Sequence, residues 1–469
     1  SLGTGSLNIM NSTVKNTDSV SHTYTHTQIN LRDATFGGPG SADMVFVSTT
    51  SGGISDSITV NNNGSTPVTV TYSGPLGTSL VPPIIKLGSG TLVLTGSEPN
   101  SVLTSAVVRE GTLVLNKPTG TQAIGSVGVL AAAGTGRVLW QADEQVGHDG
   151  FPGLLLCENG VLDLNGHTEK QNAIRFATDY TTGMRMNPAS GAGSITTGTQ
   201  GKLTMVPRPL SGEAEIILGS SATATARISG NLELAVPTVF NISNGAQPVD
   251  MLVDAALSGP GDLKKTGDGI LQLTGPNTST GKIIVNAGTL VLDAEALPTG
   301  LIDLNSRLVV RGDRFSRDAL TDYITQCLQS TDRLTSSSAA ADSKHLTGLA
   351  VIPNFDNAGD PLFSQFGGLS VTANDILLMC TWHGDVNLDG KVNLADYFLV
   401  DAGFITQKGG YRNGDLNYDG KVDLADYFLI DSSFIGQTTG VAVASTPVPE
   451  PATLLPLLGS LLLARRRRL

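Results

Sequence analysis

Two twelve-residue stretches in the C-terminal part of the chain place oxygen-bearing side chains at the spacing a hard cation requires. The first is Asp385-Val386-Asn387-Leu388-Asp389-Gly390-Lys391-Val392-Asn393-Leu394-Ala395-Asp396. The second is Asp415-Leu416-Asn417-Tyr418-Asp419-Gly420-Lys421-Val422-Asp423-Leu424-Ala425-Asp426, starting 30 residues later (415 − 385). Calcium takes about six to eight oxygen ligands at once. Acidic or amide side chains at loop positions 1, 3 and 5 (Asp385, Asn387, Asp389; Asp415, Asn417, Asp419) point inward together, and Gly390 and Gly420 permit the sharp turn at position 6. Position 7 supplies a backbone carbonyl, so Lys391 and Lys421 aim their charges outward. Position 9 is Asn393 or Asp423, acting through water, and position 12, Asp396 or Asp426, closes the cage from the first turn of the following helix. A metal-free Asx-rich turn is the alternative for one copy. Two copies in register point to two calcium sites.

The elements that must position these ligands are two nearly identical exit helices, Leu394-Ala395-Asp396-Tyr397-Phe398-Leu399 and Leu424-Ala425-Asp426-Tyr427-Phe428-Leu429. Leu394, Tyr397 and Phe398 share a helical face, as do Leu424, Tyr427 and Phe428. Packing those faces together predicts a small core with approximate two-fold symmetry. The loops differ from the usual EF-hand in having Asp at position 12, and no clear amphipathic helix precedes the first. In both respects the region resembles the dockerin type I repeat, a loop and exit helix occurring twice. That resemblance implies a cohesin-like surface partner chosen in part by loop positions 10 and 11, here Leu394-Ala395 and Leu424-Ala425. These apolar pairs depart from the hydroxyl pairs of cellulosomal dockerins, so Leu394 and Leu424 are equally readable as core.

Residues 1–300 read as short alternating apolar runs punctuated by Gly, Asn and Asp. Lys86-Leu87-Gly88-Ser89-Gly90-Thr91-Leu92-Val93-Leu94-Thr95-Gly96 is echoed by Lys265-Thr266-Gly267-Asp268-Gly269-Ile270-Leu271-Gln272-Leu273-Thr274-Gly275. Each is followed by a second strand, Gly111-Thr112-Leu113-Val114-Leu115 or Gly288-Thr289-Leu290-Val291-Leu292. Looser variants are Gly160–Gly166 and Ser229–Leu234. Such a unit cannot bury its own face and needs stacked neighbours. These residues resemble the autotransporter-associated β-strand repeat of large bacterial surface proteins, sharply over 259–294 and fairly over 86–118. The resemblance implies a mainly β fold whose body is a right-handed parallel β-helix or solenoid; a β-sandwich with similar strands is the alternative.

Residues 301–381 read as a small α+β connector or cap, with a helix over Asp318–Leu334, a soft Thr335–Ala341 stretch, and strand-like Leu369–Thr372 and Asp375–Met379. Arg311-Gly312-Asp313 spells an adhesion tripeptide of a kind that arises readily by chance. Residues 382–440 form the all-α dockerin-like calcium module, and 441–447 a linker. The segment 448–469 holds Val448-Pro449-Glu450-Pro451, an apolar run Ala452–Ala464 and Arg465-Arg466-Arg467-Arg468. As a C-terminal hydrophobic helix, the run reaches about 20 Å, short of the roughly 30 Å bilayer core. Proline motif, apolar run and terminal arginines resemble the PEP-CTERM sorting signal. That resemblance implies transient membrane insertion and removal by an exosortase.

Composition bounds the rest. The chain has 469 residues, 56 Gly, 5% aromatic and 15% charged residues, which suits many short strands and tight turns. A net charge of −12 disfavours nucleic acid as a partner. Cys157, Cys327 and Cys380 show no CxxC or other metal spacing, and their odd count gives no disulfide framework, so they read as small buried side chains. The chain opens at Ser1 with no signal peptide, consistent with a processed or longer parent protein. Two functions follow. One is an exported surface protein, structural or adhesive and non-enzymatic, partnered by a cohesin-like protein or extracellular polysaccharide. The other is a polysaccharide hydrolase or lyase carrying a dockerin. Such an enzyme needs facing carboxylates or a base beside a metal. The best cluster before residue 300 is Asp143, Glu144, His148 and Asp149, which reads as one solvated loop.

Overall fold

In a computed structural model, the protein is described over residues 4–77, 83–148, 154–177, 193–312, 333–356 and 358–437. The sequence-predicted helix Asp318–Leu334 lies outside these residues except at its end, as do Asp313, Cys327, Asp149, the 441–447 linker and the whole of 448–469. The chain divides into two compact units, Ser1–Ile284 with Glu295–Gly300, and Val285–Ala294 with Leu301–Leu469.

In the first unit, strands fall alternately into two parallel sheets. Ser6–Met10, Gln28–Gly37, Gly53–Asn61, Ile84–Leu87, Ala106–Val108 and Val129–Ala133 open one sheet in that order. His22–His26, Met44–Ser48, Thr69–Ser73, Thr91–Thr95, Thr112–Asn116 and Arg137–Trp140 open the other. Parallel strands cannot be joined by hairpins, so the chain winds, adding one strand to each sheet per coil. From Thr168 onward a third parallel sheet, Thr168–Gln171, Lys202–Met205, Asn231–Leu234 and Ala256–Ser258, gives the coils an extra side. The fold is thus mainly β, with long parallel sheets of the kind a β-helix or solenoid builds.

Period-2 alternation sets which side chains enter the core. Stacking then aligns them from coil to coil. One column runs Met44, Val70, Leu92, Leu113, Val138, Leu162, Ile195, Ile228, Val253 and Leu273, each paired in register with the next. Every member is buried. Burying a Leu or Val side chain contributes about 1.5–3 kcal/mol, so this column alone explains why an isolated repeat is insufficient.

The near-repeated Lys-x-Gly turns have a specific structure. Lys86 is fully buried, and its Nζ donates to the carbonyls of Leu87 (2.9 Å), Gly88 (2.7 Å) and Glu110 (3.1 Å). Lys265 Nζ likewise donates to Thr266 O (2.9 Å) and Gly267 O (2.7 Å). Gly88 (φ +74°) and Gly267 (φ +73°) turn those carbonyls inward, and a Cβ at either position would lie 2.5 Å from a backbone oxygen of the preceding coil. Lys117 is a third case, satisfied by the carbonyls of Gly74, Thr95 and Glu98.

In the second unit, Thr289–Asp293 pairs in parallel with Arg307–Arg311. Ile376–Trp382 then joins antiparallel, with Thr347–Pro353 antiparallel beyond it. The strand-like readings at 369–372 and 375–379 correspond to Leu369–Ser370 and Ile376–Trp382. The 335–341 stretch is a short helix, α1 (Ser337–Ala341), capped by the Ser336 hydroxyl. Helices α2 (Leu394–Thr406) and α3 (Leu424–Gln437) follow. The loop between them and α3 bond to the strand Thr347–Pro353 and its entry: Tyr418 Oη donates to Leu349 O (2.8 Å) and accepts from Val351 N (3.0 Å), while Ser433 Oγ donates to Leu346 O (2.9 Å). Among the described residues, no helix is long and apolar enough to cross a membrane.

Candidate metal centres

The two acidic loops share most of their hydrogen bonds. Asn393 caps α2, accepting from Ala395 N (2.8 Å), and Asp396 Oδ2 accepts from Asn393 N (3.0 Å), completing a capping box. Asp396 Oδ1 reaches back to Val386 N (3.1 Å) and Asn387 N (3.2 Å), tying the helix to the loop entry. In the second copy Asp423 Oδ1 accepts from Ala425 N (2.8 Å), Asp426 Oδ2 from Asp423 N (2.9 Å), and Asp426 Oδ1 from Leu416 N (2.7 Å) and Asn417 N (3.3 Å). Asn387 and Asn417 each accept from the Asp two residues on, at 2.9 Å. Asp389 and Asp419 accept from Lys391 N (2.9 Å) and Lys421 N (3.0 Å). The Lys391 and Lys421 side chains are exposed, as their outward placement requires. Leu388 and Tyr418, at position 4, both adopt the left-handed conformation, with φ of 59° and 60°.

The position 1 carboxylates are both buried and differ in their partners. Asp385 Oδ1 accepts from Asp389 N (2.9 Å), and Oδ2 from Gly390 N (3.0 Å) and Thr381 Oγ1 (2.5 Å). Burial pushes its carboxyl up to about 8; the Thr381 hydroxyl opposes this, and Asp396 and Asp389 add to it. Burial likewise pushes Asp396 up to about 7. Asp415 is raised, again chiefly by burial. Its Oδ2 accepts from Gly410 N (3.1 Å) and Gly420 N (3.2 Å), while its Oδ1 is buried with no hydrogen-bond partner. An orphaned buried carboxylate oxygen in a ring of Asp and Asn side chains fits a hard, oxygen-seeking cation. The residues that could hold it are those at the six loop positions of each copy. Thr381, from the strand before the first loop, has no place in the loop pattern and was not singled out from sequence.

The expected helix core is corrected. Leu394 is 75% exposed, Phe398 72%, Leu424 82% and Phe428 71%. The buried faces are Asp396, Val400 and Gly403 on α2 and Asp426, Ile430, Ser433 and Gly436 on α3. Pulling Asp396 inward sets the rotation of the helix. Phe398, two residues on, is carried about 200° round the axis to solvent. The approximate two-fold relation nevertheless holds through other groups. Gly384 (φ +95°) would place a Cβ 2.4 Å from Ile430 Cγ1, and Gly414 (φ +99°) would place one 2.9 Å from Val400 Cα. Each glycine thus admits the buried aliphatic of the opposite helix. Leu394 and Leu424 are therefore not core; with Phe398, Phe428, Ile405 (80% exposed) and Ile435 (67%) they form an exposed, duplicated apolar surface.

Against known proteins, residues 84–115 and 263–292 match the Passenger-associated-transport-repeat family, PATR. The match occurs twice along the chain. The first copy takes in strands Ile84–Leu87, Thr91–Thr95 and Ala106–Val108 and most of Thr112–Asn116; the second begins with Leu263–Thr266 and Ile270–Leu273. The inward Lys86 and Lys265 occupy the same place in both. Over 72 residues the chain is 42% identical to the adhesin BmaC autotransporter of Brucella suis biovar 1 (strain 1330). That stretch is 15% of this chain and spans only 2% of the relative. No solved structure matches the chain.

Proposed function

We propose that this is an exported bacterial cell-surface protein, structural or adhesive, in which a stacked β body presents or spaces a calcium-stabilised pair of helices. The observation that carries this reading is the continuous aliphatic column through the PATR segments, an architecture that extends by adding coils and exposes long lateral faces. The likeness to an adhesin autotransporter supports the surface assignment. Calcium in the two loops is supported by the oxygen-only donor set and the orphaned Asp415 Oδ1. The exposed Leu394, Phe398, Leu424 and Phe428 surface supports docking of a cohesin-like protein, with extracellular polysaccharide as the other partner class. The tail at 448–469 would direct the chain to an exosortase, which cuts near Val448-Pro449-Glu450-Pro451.

Purified full-length chain on beads, exposed to envelope proteins and to surface polysaccharides with calcium or chelator, tests the reading. Calcium-dependent capture lost on converting Phe398 and Phe428 to Ser supports it. Turnover of a common polysaccharide would replace it with the enzymatic reading. Mass spectrometry of surface-extracted protein should lack the Arg465–Arg468 peptide; its recovery from mature surface protein would overturn the processing step.

A further inference from the structure

The third sheet of the body has one residue out of keeping with its column. Leu203, Leu232 and Leu257 pair in register from coil to coil and are buried, and the residue that precedes them in the same column is Glu169, fully buried. A carboxylate where stacking calls for Leu costs several kcal/mol unless its oxygens are compensated. One oxygen is: Glu169 Oε2 accepts from Trp140 Nε1 (2.7 Å), Gln145 N (2.8 Å) and Val146 N (3.2 Å). The other, Oε1, is equally buried and has no hydrogen-bond partner.

Glu144 and His148, from the loop of the preceding coil, lie beside it. One ligand atom from each of Glu144, His148 and Glu169 falls within 4.8 Å of the other two, the one such trio of His, Cys, Asp or Glu among the described residues. The two acidic loops hold no comparable trio. The 143–148 loop is held in place rather than solvated throughout. Glu144 N donates to Thr168 O (2.9 Å), Asp143 Oδ1 accepts from Thr168 N (2.9 Å), and Asn172 Nδ2 donates to His148 O (2.7 Å). Both edges of the cluster are thereby fixed to the next coil.

We propose that Glu144, His148 and Glu169 bind a first-row transition-metal dication, Zn2+ foremost, as a latch between two successive coils. One imidazole nitrogen and two carboxylate oxygens are a three-ligand set that zinc completes with water. The imidazole selects against calcium and magnesium. The three donors on Glu169 Oε2 orient the carboxylate and leave Oε1 for the metal. Lys170 Nζ, 3.5 Å from Glu144 Oε1, sits on a half-exposed flexible side chain and can swing away when the cation enters.

The test uses the chelator-stripped full chain with about 1 mM calcium present, enough to fill weak oxygen-only sites. Zn2+ is titrated by calorimetry, and Co2+ by its visible absorption and its quenching of tryptophan emission. The expected result is one equivalent bound, a rise in melting temperature, and affinity weakened at least about tenfold in both His148→Ala and Glu169→Gln. His148 lies at the coil edge, so its variant keeps the test valid should Glu169→Gln fold poorly. Absence of zinc uptake by the unsubstituted chain overturns the proposal. So does zinc affinity indifferent to His148→Ala, which would mean binding elsewhere.

Discussion

Tyr397 Oη donates a 2.6 Å hydrogen bond to Asp431 Oδ1, and the same contact recurs inverted between Tyr427 and Asp401. Each partner stands 30 residues from its counterpart (427 − 397; 431 − 401). The rings follow the same exchange: Tyr397 meets Phe434 edge-on and Phe404 meets Tyr427 edge-on, both at 5.9 Å between centroids. Helices α2 and α3 are thus clasped by two copies of one contact.

That duplication sets the first prediction. Tyr397→Phe and Tyr427→Phe each remove one hydrogen bond and keep the ring contact, so each should cost a similar amount, about 0.5–1.5 kcal/mol. Denaturant unfolding followed by hydrogen exchange in residues 394–406 and 424–437 measures it. Losses differing severalfold between the two variants would show that the helices are not equivalent.

Strands such as Leu92–Leu94 were legible because a single buried face forces strict alternation and the Gly turns mark the coil edges. The third sheet was not, since Thr168–Gln171 and Lys202–Met205 are only four residues each and the first places a charge, Glu169, on its buried face, with no run long enough to signal a strand. The duplicated spacing of the two acidic loops was legible, because the same Asp, Asn and Gly positions recur 30 residues apart. The helix faces were misread, because apolar content marked Phe398 and Phe428 as core while the inward pull on Asp396 and Asp426 decides the rotation. Glu169 was invisible because its meaning lies in the column with Leu203, and register between coils of unequal length is not written in local sequence.

The buried lysines yield a pH prediction. Burial draws Lys86 down to about 8, with Glu110 opposing, and Lys265 to about 8, with Asp250 and Asp268 opposing. The unfolded lysine holds its proton to 10.5. Between those values the unfolded chain binds more protons, so stability rises with pH. The contribution is fully present above 10.5 and is lost as the pH falls through 8. Lys86→Met should remove only the share of that rise that Lys86 supplies, leaving that of Lys265 and of Lys117, which burial also draws down to about 8, while costing about 1–3 kcal/mol at pH 7, since three carbonyls lose their donor. Melting curves of both proteins from pH 7 to 10.5 decide it; parallel curves would mean that the ammonium is not the titrating group.

Cys157 is fully buried, with Sγ 3.3 Å from Gly160 O and 3.4 Å from Ser194 O, and burial pushes its thiol up. Burial raises Cys380 as well. The thiolate is the reactive form, so neither should alkylate in the native protein at neutral pH. Peptide mapping after iodoacetamide, native against denatured, checks this; native labelling at Cys157 would show that the coil there opens readily.

The two oxygen-rich loops are expected to differ in calcium affinity. The first carries Asp385, Asp389 and Asp396, the second Asp415, Asp419, Asp423 and Asp426, and ligand charge is one lever on affinity. The hydrogen bonds point the same way. Both oxygens of Asp385 are engaged, one by the Thr381 hydroxyl, so an ion there must compete with existing donors. Asp415 Oδ1 has no donor to displace. The second loop should therefore fill first, and Asp415→Ala should weaken calcium-dependent protection of α2 and α3 at least about tenfold more than Asp385→Ala. Asp415→Asn, which keeps the side-chain shape, separates lost charge from lost packing. Calorimetry of the full chain, paired with hydrogen exchange in calcium and in chelator, reads both quantities. Exchange in residues 394–437 that ignores chelator would overturn the calcium assignment of both loops. Greater harm from Asp385→Ala would leave calcium in place and overturn the ranking, meaning that the rigid, Thr381-braced carboxylate outweighs the added charge of Asp423.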